Sequence, residues 1–199
     1  MQKLVIASNN SGKLREFQTM LAPLGIEVLT QAQLGIAEAE EPHLTFIENA
    51  LTKARHASRA SGLPALADDS GICIDALKGL PGVISARFSG EPRSDARNNL
   101  AVLQAMRDKV DRRAHYYCVL VLVRHAGDAE PIIAEGVWHG EIAQAEQGEG
   151  GFGYDPLFWL PELGKTSAQL EHDQKHAISH RGKALQALLN KLSIARIAG

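Results

Sequence analysis

Lys3-Leu4-Val5-Ile6-Ala7 runs without a break into Ser8-Asn9-Asn10-Ser11-Gly12-Lys13, and a helical pattern follows to about Leu21, where Pro23 and Gly25 bring it to an end. An apolar strand that feeds a helix through a short polar turn is the opening of an α/β sheet. The turn sits at a helix N-terminus, where unsatisfied backbone N–H groups and the positive end of the helix dipole favour an anion. Small side chains leave room for a phosphate, and Lys13 adds a mobile positive charge. The spacing is not the G-x-x-x-x-G-K-[ST] of a Walker A loop. Taken alone, the turn reads equally as an anion seat and as an ordinary capped helix start.

Working outward, Ile26 to Thr30 predicts a second strand, and 35–43 is a polar loop carrying Glu38, Glu40 and Glu41. Thr45-Phe46-Ile47-Glu48 spells a capping box and opens a helix to about Ser61, with Phe46, Ile47, Ala50, Leu51 and Ala54 as its apolar face. Ala65 to Ala67 leads into Asp68-Asp69-Ser70-Gly71, predicted as a turn or sheet edge, before Ile72-Cys73-Ile74 continues as a strand. Residues 77–93, rich in Gly and Pro, read as a loop. Ser94 or Asp95 caps a helix expected to bury Leu100, Leu103 and Met106. Tyr116 to Val123, the longest β-type run, predicts a buried central strand, and Gly127-Asp128 returns the chain as Ile132 to Ile142, antiparallel to it. After the glycine-rich loop 148–156, Ala184, Leu185, Leu188, Leu189 and Leu192 form a helical stripe for packing on the sheet. Strand and helix patterns alternate throughout 1–199, with no repeat or linker, so one α/β domain is expected.

Composition narrows the function classes. The 199 residues suffice to bury roughly 70% of the unfolded surface, and 45% hydrophobic with 22% charged residues is the balance of a soluble globular protein. A formal net charge of −2 gives no general attraction to nucleic acid. Cys73 and Cys118 lie in apolar stretches without metal-ligand spacing and read as buried thiols. The apolar run after Met1-Gln2-Lys3 is too short for a signal core or a membrane span, which predicts a cytoplasmic protein with no membrane partner. No Ser/His/Asp or Cys/His arrangement emerges from spacing, and the histidines lack H-E-x-x-H.

The chemistry-bearing residues fall into two sets. Asp68 and Asp69, adjacent in extended chain, point opposite ways. The pair reads as an Asx-turn or, together with an anion seat, as what a magnesium–phosphate site requires, with Glu40 and Glu41 either further oxygen donors or a solvated acidic loop. The second set is Gly151-Phe152-Gly153-Tyr154-Asp155, which offers a ring for stacking on a base and backbone free to approach it. Lys175, His180 and Arg181 gather near a helix start at Ser179-His180-Arg181 and supply donors for base oxygens, or else are surface charges.

In order, Ser8 to Lys13, Thr45-Phe46-Ile47-Glu48-Asn49-Ala50 with Lys53, Ala67-Asp68-Asp69-Ser70-Gly71, Gly151 to Pro156, and Ser179-His180-Arg181 resemble the inosine triphosphate pyrophosphatase family, nearest its bacterial dITP/XTP branch. The resemblance spans nearly the full chain. It implies a long mixed sheet flanked by helices, two lobes around a central substrate cleft, a homodimer, and hydrolysis of non-canonical purine nucleoside triphosphates to monophosphate and pyrophosphate with Mg²⁺. It further implies triphosphate binding by Ser8, Asn9, Asn10, Ser11, Gly12, Lys13 and Lys53, and a general-base and metal role for Asp69. Ser70 would touch the substrate, and one of Glu40 and Glu41 would complete the metal site. Phe152, Gly153, Tyr154 and Asp155 would carry the base, with Lys175, His180 and Arg181 reading its oxygens. One departure is Ser8-Asn9-Asn10, where the family has Thr-Gly-Asn. Two other readings remain at this stage: a Maf-type pyrophosphatase acting on modified pyrimidines, and a nucleotide sensor without catalysis. A nucleic-acid binder built on the basic and aromatic residues is disfavoured by the charge balance.

Overall fold

The computed structural model describes residues 2–197. Among the described residues, seven strands form one mixed sheet, interleaved with five α-helices. In chain order these are β1 (Lys3–Ile6), α1 (Ser11–Leu21), β2 (Glu27–Thr30), α2 (Phe46–Ser61), β3 (Ala65–Ile74), α3 (Asp95–Ala105), β4 (Arg113–Val123), β5 (Ile132–Ile142), β6 (Phe158–Leu160), β7 (Lys165–Thr166), α4 (His172–Ile178) and α5 (His180–Ile197). The strand order is β2-β1-β3-β4-β5-β6-β7. β1 pairs in parallel with β2 and β3, and β6 pairs antiparallel with β5 and β7. The 124–131 connection between neighbouring β4 and β5 is too short for a parallel crossover, so that pair is antiparallel, as the 127–128 turn predicts. The mixed α/β sheet of the sequence reading is thus the observed architecture.

The chain forms two compact units. The first runs to Asp69 and takes in Cys118–Glu135 and the chain from Ala184. Its core follows the strand period of two: Leu4 and Ile6 of β1, Leu66 of β3, and Cys118, Leu120 and Leu122 of β4 share one cluster with Phe17 and Leu21 of α1. The predicted stripe on α5 joins them through Ala184, Leu185, Leu188 and Leu192. The alternate residues Val5, Ala65, Ala67, Val119 and Val121 are buried on the other face. The β1–α1–β2 and β2–α2–β3 connections cross in opposite directions, so right-handed crossovers put α1 and α2 on opposite faces. Small residues Ala50, Ala54 and Ala57 let α2 lie close against β1. Ile47, expected in that face, is exposed, because Asn49, Ala57 and Ser58 complete the buried side.

The second unit comprises Ser70–Tyr117 and Gly136–Lys183. Ile72, Ile74, Tyr116, Trp138, Phe158 and Leu160 from its strands pack with Val102 and Met106 from α3 and the residue after it. Leu100 is 55% exposed, contrary to expectation, since Asn98, Asn99 and Val102 form the inward side of α3. Asn98 earns its buried place by accepting from the Ser89 N–H and hydroxyl (2.8 Å each). The loop expected over 77–93 starts at the end of one short 3₁₀ segment, Asp75–Leu77, and contains another, Gly82–Arg87. Strands β6 and β7 and helix α4 have too few residues to produce a periodic pattern. Among the described residues no helix is long and apolar enough to cross a membrane.

The α4–α5 corner depends on a missing side chain. A Cβ on Gly182 would collide with the His176 carbonyl, and the Gly182 N–H donates to Ser179 Oγ (3.1 Å). Gly182→Ala should therefore cost roughly 1–3 kcal/mol through overpacking, read as a fall of several degrees in Tm by calorimetry.

Candidate active site

The first unit places its chemistry at the carboxyl ends of parallel strands, where the strand order reverses between β1 and β3. In open α/β sheets that is where ligands bind. β1 and β3 pair through Val5↔Ala65 and Ile6↔Leu66, and the Ala7 N–H still donates to the Leu66 carbonyl (2.9 Å). Beyond that point β1 leaves as the Ser8 to Lys13 turn while β3 continues. Asp68 and Asp69 lie just past the last paired residue, inside strand β3 and only 2% and 7% exposed. The predicted turn or edge is therefore corrected. Ile72-Cys73-Ile74 and Ala65-Leu66-Ala67 belong to one continuous strand that carries the acids through its middle.

Strand alternation decides their partners. Asp68 shares the face of Leu66, covered by α1, and pairs with Lys13 from the first turns of that helix (2.6 Å). Asp69 shares the face of Ala67 and meets Lys53 of α2 (3.3 Å). The Lys53 ammonium also donates to Glu41 Oε1 at 2.8 Å. Glu41 reaches it because His43, two residues on, is clamped to α2: its N–H donates to Asn49 Oδ1 (3.0 Å), its carbonyl accepts from Asn49 Nδ2 (3.2 Å), and its ring bonds the Thr52 hydroxyl (3.0 Å). Glu40 is exposed and Glu41 half-buried, and of the two it is Glu41 that shares the Lys53 ammonium with Asp69.

Too many carboxylates share too few ammonium groups. Burial pushes the Asp69 carboxyl up to about 6, against the pull of Lys53, and Glu41 and Asp68 add to the rise. Burial works against the Lys53 ammonium, but Asp69, Asp68 and Glu41 outweigh it and hold its pKa above the ordinary lysine value. The result is a buried carboxyl that ionises near neutrality, the range suited to taking a proton from water.

Of its two sequence readings, the Ser8 to Lys13 turn has the form of a capped helix start. Asn10 is the N-cap of α1, and its Oδ1 accepts the N–H groups of Gly12 (3.0 Å) and Lys13 (3.1 Å), while Ser8 Oγ accepts the Asn10 N–H (3.2 Å). These donors are satisfied by the turn itself, since Asn is among the strongest capping residues. Asn9 Nδ2 donates to Glu38 Oε1 (2.8 Å), which ties the turn to the acidic loop. The side chain of Ser11 lies outside the described residues. Ser70, next after Asp69 on β3, is half-buried.

In the second unit the loop 148–156 presents Phe152, 49% exposed, with Lys175 Nζ 5.1 Å and Arg181 Cζ 6.0 Å from its ring centroid. Tyr154 is buried and donates its hydroxyl to the Ser85 carbonyl (2.7 Å), so it anchors the loop, and Phe152 is the exposed ring of the two. Asp155 is buried as well. It accepts from the Phe152 N–H (2.8 Å) and Ser167 Oγ (2.7 Å) and pairs with Lys175. Gly153 donates its N–H to Asp95 Oδ2 (2.7 Å), a partner that nothing in the local spelling of either residue predicts. His180 and Arg181 are buried rather than surface charges. The His180 ring stacks on Tyr116 with centroids 4.6 Å apart and planes 8° from parallel.

A family model described as the Ham1 family matches residues 4–191. The chain is 64% identical over 193 residues to a protein of Nitrosomonas europaea named dITP/XTP pyrophosphatase, covering 97% of this chain and 95% of that one. It is 60% identical to a protein of the same name from Ralstonia nicotianae, covering 98% of each. Among solved structures it resembles a HAM1 protein from Coxiella burnetii with a TM-score of 0.94 at 46% identity, over 97% of this chain and 99% of that one.

A carboxyl whose folded pKa lies near 6 against an ordinary 3.8 binds extra protons in the folded state between those values. Stability therefore falls as pH rises through that window, and the full cost is present above it. Asp69→Asn should raise the thermal midpoint at pH 8 by an amount equivalent to about 1–3 kcal/mol. The gain should fade toward pH 4, as read by melting curves across pH.

Proposed function

The chain belongs to the Ham1 family, and on that premise we propose that it hydrolyses non-canonical purine nucleoside triphosphates, dITP, ITP and XTP, to the monophosphate and pyrophosphate. The observation that carries this reading is the buried Asp69 carboxyl held against Lys53 and Glu41, beside the Lys13–Asp68 pair at the end of β1. Two ammonium groups and three carboxylates gathered around a phosphate-sized turn suit a reaction in which a polyanion is neutralised while a proton leaves water. The named relatives support this reading and favour neither the pyrimidine-directed nor the non-catalytic alternative.

The residues have distinct tasks. Lys13 and Lys53 neutralise the phosphate oxygens, and the N–H groups of Gly12 and Lys13 exchange the Asn10 carbonyl for a phosphate oxygen. Ser8 and Asn9 line the same turn. Asp69 accepts the proton of the attacking water. A new oxygen–phosphorus bond forms at the α-phosphorus, the bond to the β-phosphate bridging oxygen breaks, and pyrophosphate leaves. The fit of a divalent cation rests on the donor set: Glu41 and Asp69 already flank one cation, the Lys53 ammonium, with hard carboxylate oxygens. One or two carboxylates plus substrate phosphates is the usual protein share of a Mg²⁺ site. Glu41 and Asp69 would hold the ion, which when bound offsets phosphate charge and acidifies water.

Base selection falls to the second unit. Phe152 provides the stacking surface, and Lys175, His180 and Arg181 supply donors. The 6-oxygen of hypoxanthine or xanthine accepts from these donors, whereas the 6-amino group of adenine faces them donor against donor. Each buried polar group left unpaired costs about 1–3 kcal/mol, so a few suffice to exclude ATP. The chain, 1–199, is proposed as a single nucleotide pyrophosphatase domain. The family resemblance further supports action as a cytoplasmic homodimer, for which light scattering should give twice the 21.5 kDa chain mass.

Incubation with Mg²⁺ and a panel of triphosphates should release pyrophosphate and monophosphate from dITP, ITP and XTP while sparing ATP. Orthophosphate as the sole phosphate product, or ATP cleaved as fast as ITP, would refute the reading. Asp69→Asn should lower kcat by something like 10²–10⁴-fold, the span of a positioned acid–base group. Omitting the divalent cation should abolish turnover by both proteins.

A further inference from the structure

The Gly153 amide is held from far away in sequence. Its N–H donates to Asp95 Oδ2 at 2.7 Å, and Asp95 is the first residue of α3, directly after the N-cap Ser94 whose hydroxyl accepts from the Arg97 N–H. A carboxylate in the first helical turn is favoured by the dipole, so this acceptor is set by a rigid element. The preceding amide, that of Phe152, donates to Asp155 Oδ2 (2.8 Å). Two consecutive N–H groups are thus taken by two carboxylates from different parts of the second unit. The peptide between residues 152 and 153 cannot rotate without losing one of them.

That peptide carries the exposed Phe152 ring with Lys175 and Arg181 beside it. Its flanks are otherwise soft, since Gly151 (φ 76°) and Gly153 (φ 62°) adopt left-handed backbone. A Cβ on Gly151 would strike the Asp155 carboxylate, so glycine there is the condition for the second of the two anchors. The Tyr154 hydroxyl on the Ser85 carbonyl fixes the residue beyond. Asp95 supplies the anchor that comes from outside the loop.

We propose that Asp95 is a positioning residue for purine recognition: through the Gly153 amide it holds the Phe152 ring in the orientation on which the base stacks. It sets affinity for the base and discrimination between bases, and leaves the hydrolytic step alone. The inference rests on the reading of the chain as a purine nucleoside triphosphate pyrophosphatase whose 152–155 loop carries the base. A carboxylate-to-amide bond is charge-assisted and shorter-ranged in its tolerance than a neutral one, which suits a residue that orients. Asp95 itself is exposed, so its loss should leave global stability nearly unchanged.

The test is steady-state kinetics with Mg²⁺ on dITP and ATP for the intact protein, Asp95→Ala, Asp95→Asn, Phe152→Ala and the Asp95→Ala/Phe152→Ala double variant. Asp95→Ala should raise KM for dITP about tenfold, leave kcat within about threefold, and narrow the preference for dITP over ATP. Asp95→Asn keeps an oxygen acceptor and should recover most of the loss. Asp95→Ser, well tolerated at a helix start but too short to reach the amide, should behave as alanine does and covers the case in which alanine folds poorly. The double variant should be no worse than Phe152→Ala alone, because Asp95 acts only through the ring. Wild-type KM and selectivity in Asp95→Ala and Asp95→Ser, or losses that add in the double variant, would overturn the proposal. A wild-type protein that releases no pyrophosphate from dITP or XTP would refute the underlying reading, which separates the two failures.

Discussion

Two aspartates buried side by side on one strand are the constraint around which the first unit is arranged. Unpaired carboxylates at that depth would each carry a desolvation cost of several kcal/mol. Alternation sends them to opposite faces, so a single helix could neutralise only one. The opposed crossovers of β1–α1–β2 and β2–α2–β3 supply a helix on each face, and each helix delivers a lysine: Lys13 to Asp68 and Lys53 to Asp69. Neutralisation remains incomplete on the α2 face because Glu41 joins it, and the Asp69 carboxyl stays close to its protonation threshold. Folding thus tolerates a local instability that an acid–base group needs.

The lysines assigned to substrate share one feature across both units. Lys13 is held by Asp68, Lys53 by Glu41 and Asp69, and Lys175 by Asp155. A long flexible ammonium side chain loses considerable rotamer entropy when it is fixed. Here that ordering accompanies folding, so a nucleotide bound as proposed would meet cations already in place. The carboxylates also temper the positive charge, which limits indiscriminate attraction of other anions. In the second unit the same logic extends to rings: His180 is fixed by stacking on Tyr116, and Phe152 is fixed by two anchored amides.

Much of the fold was legible because it rests on long periodic runs and strong punctuation. Tyr116 to Val123 reads as the buried central strand and lies fourth of seven. Thr45 with Glu48 reads as the start of a helix and caps α2. Gly25 reads as a helix end and adopts left-handed backbone. The misreadings came where polarity imitates a loop. Asp68-Asp69-Ser70-Gly71 has turn composition, yet lies in mid-strand, because lysines from α1 and α2 supply what water would supply to a turn. Ile47 and Leu100 read as inward and face outward, since Asn49 and Asn98 have specific hydrogen-bond partners that no local pattern reveals.

The residue types, their order and their spacing on strands and helices were enough to determine an α/β sheet, an acid pair on alternate faces, a lysine-bearing turn at a helix start and an aromatic ring between glycines. Those are local properties, set by backbone geometry within a few residues. Only the tertiary structure decided that Glu41 rather than Glu40 shares the Lys53 ammonium with Asp69, that Asn10 closes the turn's own donors, that Tyr154 anchors while Phe152 stands exposed, and that Asp95 holds the Gly153 amide. Each of these choices pairs groups brought together by packing or capping geometry, and such pairings depend on where whole elements lie, which no short window of sequence encodes.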